Sequence, residues 1–195
     1  MKKLLLFILP AIFLTSCKEE DDTVPEYVNW QEVNEKAFKT LYNNAIQSPS
    51  DDLDTIRTYT KLSAQTLIPE DYIVVRKLQR VQELIKPTTK TGIPIYSDSV
   101  KVSYRGKLQP STSFPTGKVF DKSFSTAEYS PVTSRPASFS VSGVITGFST
   151  ALQNMHIGDH WIVYIPHQLG YGTTEDSTIP QYSLLTFEII LENYW

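Results

Sequence analysis

His156, His160 and His167 are the three histidines of this 195-residue chain, and Cys17 is its one cysteine. Three histidines with no cysteine near them fall short of a metal site's ligand set, so neither a structural nor a catalytic metal is expected. Cys17 has no partner for a disulfide. There is no Gly-rich phosphate loop and no G-x-S-x-G elbow. The formal net charge of −3 gives no support to nucleic-acid binding. Chemistry that needs a metal, a cofactor or an activated nucleophile therefore finds no candidates, and the most informative stretch is Arg135–Gly172. That stretch places three periodicities side by side. Phe139, Val141, Val144 and Ile145 form an extended apolar run. Phe148, Ala151, Leu152 and Met155 then recur at i, i+3, i+4 and i+7, one face of a short helix that Gly158 should end. His160–Pro166 is apolar on both faces, which predicts a covered strand inside a sheet. Gly170-Tyr171-Gly172 reads as a loop that holds out a tyrosine.

Strands must position this unit. Val100, Val102, Tyr104 and Leu108 alternate with Lys101, Ser103, Arg105 and Lys107, as in a strand buried on one face and wet on the other. Tyr72–Leu78 is rich in β-formers. Leu185, Phe187, Ile189 and Leu191 alternate with Leu184, Thr186 and Glu188 in a closing strand. Gln109–Lys118 and Thr126–Arg135 read as loops. Many strands around one short helix imply an α+β fold, an antiparallel β-sheet wrapped on the helix.

The order of these pieces resembles the FKBP-type peptidyl-prolyl cis-trans isomerases, in particular their macrophage infectivity potentiator-like bacterial branch. Pro136–Phe139 (PASF), Val144–Phe148 (VITGF) and Leu169–Gly172 (LGYG) are similar to that branch's PAxF, VIxGW and LAYG. Val102–Gly106 matches V-x-Y-x-G, and Phe120–Ser123 matches F-D-x-S. The resemblance implies an isomerase domain over 67–195, without cofactor, that rotates X-Pro bonds of exported polypeptides. It also implies possible binding of macrolide inhibitors. Tyr104, Asp121 and Tyr171 would be the catalytic groups. Phe120, Phe139, Val144, Ile145, Phe148, Ile179 and Phe187 would bind substrate, with the Ile145 N–H as a further donor. Each has a plainer reading beside this one: Phe120, Phe139, Val144 and Phe187 would pack the core of almost any small β domain, Asp121 could end a strand, and Tyr104 could simply be buried.

Three positions depart from the family pattern. The floor residue, usually tryptophan, is Phe148. The loop from Gly172 to Thr178 is short and carries Glu175 and Asp176. Gln181 stands where a second proline is frequent. A proline-peptide-binding chaperone with little or no turnover is therefore the competing reading.

The N-terminal region lies outside the resemblance. Residues 1–16, with Lys2, Lys3 and an apolar run from Leu4 to Leu14, are too short in apolar length to span a bilayer. With Leu14-Thr15-Ser16-Cys17 they resemble a bacterial lipoprotein signal that would leave a lipid on Cys17. Cleavage there would leave 16 basic against 21 acidic residues, a balance of −5. Residues 17–28 would be a tether. Lys18 followed by acids is similar to the signal that sends some lipoproteins to the outside of the outer membrane, against a periplasm-facing alternative. Over 29–66 a helical extension is expected, with Trp30, Val33, Ala37, Leu41 and Ala45 on one stripe, Phe38 and Tyr42 widening it, and Asn29 as cap. The stripe would pack on the isomerase domain, on the segment Asp51–Thr66 or on a second copy, so the oligomeric state stays open.

Overall fold

The computed structural model describes residues 25–48, 50, 52–84, 90–174 and 178–195. The leader over 1–16, Cys17, most of the tether, Pro87, Glu175 and Asp176 lie outside the described residues. Among the described residues no helix is long and apolar enough to cross a membrane.

Seven strands form one antiparallel sheet: β1 (Leu53–Arg57), β2 (Tyr72–Lys77), β3 (Ser99–Lys107), β4 (Val119–Lys122), β5 (Ala137–Ser140), β6 (His160–Ile165) and β7 (Leu185–Tyr194). Their lateral order is β1-β2-β6-β7-β3-β4, with β5 also on β3. β3 pairs with β7 along its length. On its other side Ser99–Val102 meets β5 and Arg105–Lys107 meets β4, so the excursion between β4 and β5 splits one strand position in two. Helix α2 (Thr146–Leu152) lies across one face, with Gly147 through Leu152 all buried. Gly147 permits the close approach: a Cβ there would stand 2.3 Å from Ile165 Cγ2 on β6.

Several elements differ from what the sequence pattern predicts. Phe139 and Val141 are not one extended run with Val144, because β5 ends at Ser140 and a 3₁₀ turn follows over Val141–Gly143. α2 stops at Leu152, before Met155, since polar side chains take up its last carbonyls: Gln153 Nε2 donates to Ser149 O (3.2 Å) and Asn154 Nδ2 to Thr150 O (2.8 Å). Met155 is fully buried from the following turn, and Gly158, at φ 88°, shapes the entry to β6 instead of ending a helix. β6 is interior to the sheet, between β2 and β7, yet only Trp161, Val163 and Ile165 are buried; His160, Ile162 and Tyr164 are half-buried. Ser103 is fully buried on the face expected to be wet, where its hydroxyl donates to Glu192 Oε1 at 2.6 Å.

Helix α1 (Trp30–Gln47) packs on the other face of the sheet. Phe38 and Ala45 join Val74 and Leu184 in a second buried cluster, flanked by Leu41, Tyr42 and Tyr164. The buried stripe is turned from the expected one: Val33 is 43% exposed, and Asn34 is 1% exposed in its place. Asn29 has a left-handed backbone and makes no side-chain cap. The extension is α-helical only to Gln47; its Leu53–Arg57 forms edge strand β1 on β2, and a single 3₁₀ turn follows over Tyr59–Lys61. Glu26, expected in the tether, accepts hydrogen bonds from the Ser111 hydroxyl and the Ser113 N–H (2.9 Å).

Candidate functional site

β3, β4, β5, β7 and the N-terminal part of α2 with the residues before it each contribute side chains to a cavity of about 270 Å³. It is lined by Tyr104, Phe120, Asp121, Phe139, Val144, Ile145, Phe148, Tyr171 and Phe187, nine of the ten residues singled out as catalytic or substrate-binding. Ile179 is not among the lining residues; it is buried in the main core. Gly143, which the sequence did not single out, is part of the lining. A glycine in a turn offers no side-chain signal of that placement.

Five rings form a continuous edge-to-face arc. Phe139 meets Tyr104 at 5.7 Å between centroids, Tyr104 meets Phe148 at 6.2 Å, Phe148 meets Phe187 at 5.1 Å, and Phe187 meets Phe120 at 5.4 Å. Interplanar angles between 64° and 89° direct ring edges at neighbouring faces, the arrangement aromatic quadrupoles favour. Phe148, Phe187 and Tyr104 are buried, while Phe120, Phe139, Val144 and Ile145 are half-buried around the mouth. The arc is therefore an apolar, buried floor with a partly open rim.

One charged group stands in this wall. Tyr104 Oη donates to Asp121 Oδ2 at 2.7 Å, and the other carboxylate oxygen accepts the Lys122 N–H at 2.8 Å. Burial raises the pKa of the Tyr104 hydroxyl far above its ordinary value, and the bond to Asp121, that carboxylate's charge and Tyr171 push it the same way. Tyr104 thus stays protonated and remains the donor. Tyr171 is 44% exposed at the rim. It is carried by a tight turn after the 3₁₀ segment His167–Leu169, in which Gly170 N–H (3.0 Å) and Gly172 N–H (2.8 Å) both donate to His167 O. Ile145, also in the lining, immediately precedes α2, and among the described residues no hydrogen bond occupies its N–H.

Both carboxylate oxygens of Asp121 are engaged in hydrogen bonds, and among the described residues no three His, Cys, Asp or Glu side chains are placed to hold a metal. His160 lies elsewhere, on the outer face of the sheet, with Nε2 2.9 Å from Glu188 Oε1. Arg105 donates to the same carboxylate. Burial opposes the charge of Glu188, but the bonds from His160 and Arg105 outweigh it and hold the carboxyl below its usual range. That network fastens the excursion between β4 and β5, because Arg105 also donates to Thr126 O (3.0 Å) and Ala127 O (3.1 Å).

The model of the FKBP-type peptidyl-prolyl cis-trans isomerase family matches residues 92–192. A 22 kDa FKBP-type peptidyl-prolyl cis-trans isomerase of Escherichia coli K12 is 40% identical over 101 residues, covering 51% of this chain and 43% of that protein. The macrophage infectivity potentiator of Trypanosoma cruzi is 36% identical over 99 residues, covering 50% of this chain and 44% of its own. The chain thus spans less than half the length of these curated relatives. The crystal structure of FkpA from Escherichia coli superposes with a TM-score of 0.55 at 25% identity, over 85% of this chain and 61% of that one. The matched segment covers β3 through most of β7, with α2 and every residue lining the cavity, and the chain belongs to the FKBP-type peptidyl-prolyl cis-trans isomerases.

Proposed function

We propose that the chain is a peptidyl-prolyl cis-trans isomerase that acts on proline-containing segments of exported polypeptides. The observation that carries this reading is the arc of five rings around the cavity, closed by the Tyr104–Asp121 pair. Rotation about an X-Pro bond faces a barrier of about 18–20 kcal/mol because the planar amide is stabilised by resonance. A twisted amide has lost that resonance and part of its charge separation. A dry aromatic cavity therefore favours it over the planar form, which water solvates better.

In this reading the prolyl ring sits on Phe148 among Phe139, Phe120 and Phe187, with Val144 and Ile145 at the lip. Tyr171 offers its hydroxyl to a substrate carbonyl, and the Ile145 N–H offers a second donor. Asp121, fixed by Tyr104, places a negative charge beside the rotating carbonyl carbon and nitrogen. The rings would also accept a macrolide that mimics the prolyl segment. No cofactor enters.

The test is a proline-isomerisation assay on a Leu-Pro or Phe-Pro peptide with the purified chain. Tyr171→Phe and Asp121→Ala should each lower kcat/KM about tenfold with the fold intact, the effect of roughly 1–2 kcal/mol for one lost hydrogen bond in a desolvated site. A wild-type chain that binds unfolded proline-containing polypeptides but accelerates no X-Pro peptide would replace the enzyme with a chaperone.

We also propose that Cys17 is lipidated and anchors the protein at the bacterial outer membrane, on the strength of Leu14-Thr15-Ser16-Cys17 after an apolar run. Cys17→Ala should move the protein from the membrane fraction to the soluble one; an unchanged distribution removes the anchor from the account.

A further inference from the structure

We infer that the N-terminal helix belongs to the isomerase machinery: Trp30 is a positioning residue that fixes the turn presenting Tyr171 by way of Ser183. The inference rests on the isomerase reading for its consequence in catalysis, but the bracing itself is visible in the contacts. Trp30 is 8% exposed, and its indole N–H donates to Ser183 Oγ at 2.9 Å across 153 residues of sequence. Ser183, itself buried, donates onward to Pro180 O at 2.6 Å. One turn along α1, Asn34 donates to Trp30 O (2.6 Å) and accepts the Leu184 N–H (2.8 Å). Two successive residues of the segment before β7 are thus tied to the helix by buried polar groups. Such groups cannot lose their partners cheaply, so the segment has one position.

From there the path to Tyr171 is short. Tyr182 has φ 61°, a left-handed conformation that a bulky residue keeps only where its surroundings impose it. Its N–H donates to Gly172 O at 3.0 Å, and its ring meets His167 edge-on at 5.1 Å. His167 O in turn accepts the Gly170 and Gly172 N–H groups that bracket Tyr171. The same N-terminal segment also holds the loop before β4. Glu26 holds Ser111 and Ser113 in the loop that feeds β4, which carries Phe120 and Asp121.

The experiment uses the full chain. Trp30→Phe keeps an aromatic ring in the core but removes the indole N–H together with part of the buried ring, which Ser183→Ala does not. It should lower kcat/KM on a Leu-Pro peptide about tenfold, as for one lost positioning bond. The amides of Gly172 and Tyr182 should exchange with solvent faster in the same variant. Ser183→Ala should reproduce both effects, and the double variant should add nothing to either single one. In a Tyr171→Phe background Trp30→Phe should leave the remaining activity unchanged, because its influence passes through that hydroxyl. Wild-type rates and wild-type amide protection in Trp30→Phe overturn the inference. So does a loss that multiplies with Tyr171→Phe and follows only a lower unfolding midpoint, since that marks mere packing. If the wild type has no isomerase activity, the isomerase reading fails, and the exchange rates of Gly172 and Tyr182 alone decide whether Trp30 braces the turn.

Discussion

Phe148→Ala should remove about 3–5 kcal/mol of folding stability, the usual cost of emptying a buried phenylalanine site. Phe148 is 3% exposed and touches two other rings, Tyr104 and Phe187. Both neighbours sit in the sheet, on β3 and β7, whose long pairing prevents them from collapsing into the space. A typical domain is stable by only about 5–15 kcal/mol, so the loss would show directly as a lower midpoint in chemical denaturation. Phe148→Trp gives the opposite test. It enlarges a residue that already lines the cavity and restores the residue usual at this place in the family. The fold should persist and kcat/KM should hold or rise. A well-folded Phe148→Trp with no activity, beside an active wild type, would show that Phe148 is not the floor on which the prolyl ring rests.

Much of this arrangement was legible because it is periodic or local. The alternation of Val100, Val102 and Tyr104 against Lys101 and Arg105 fixes which side of β3 faces the core, and the family motifs then place the cavity residues in register. What periodicity missed follows from chemistry it scores wrongly. Asn34 counts as polar in a helical stripe, so Val33 is chosen; yet an amide that both donates to Trp30 O and accepts from Leu184 N–H is satisfied when buried, and it turns the helix. Ser103 is hidden for the same reason, with Glu192 as its acceptor. The short α2 ends where Gln153 and Asn154 bond its carbonyls, an event that an apolar pattern running on to Met155 cannot register. β1 leaves no local mark in the sequence because Leu53–Arg57 is a short edge strand defined by its partner β2, a long-range contact. The bracing by Trp30 is longer in range still.

Gly106→Ala should reshape the cavity without emptying it. Gly106 is buried on β3, paired across β4 with Asp121 and across β7 with Phe187. A Cβ at this position would stand 2.5 Å from Phe120 Cζ, 2.7 Å from Phe120 Cε2 and 2.8 Å from Phe187 Cε1. Real side chains do not approach so closely, so one ring or both must move. Phe187 is held by Phe148 at 5.1 Å and is buried, whereas Phe120 is half-buried at the mouth. Phe120 is therefore the ring that yields, and its displacement alters the wall beside Asp121. Overpacking of this kind costs about 1–3 kcal/mol of stability. The catalytic loss should be larger in proportion, roughly tenfold to hundredfold in kcat/KM, because each 1.4 kcal/mol of misfit to the twisted amide is a factor of ten. Phe120→Leu added to Gly106→Ala should relieve the clash and recover stability, since a smaller side chain leaves room for the methyl group, yet it should not recover the rate. If Gly106→Ala loses stability while kcat/KM stays at the wild-type value, the arc from Phe139 to Phe120 is core packing, and the reaction must take place elsewhere on the surface.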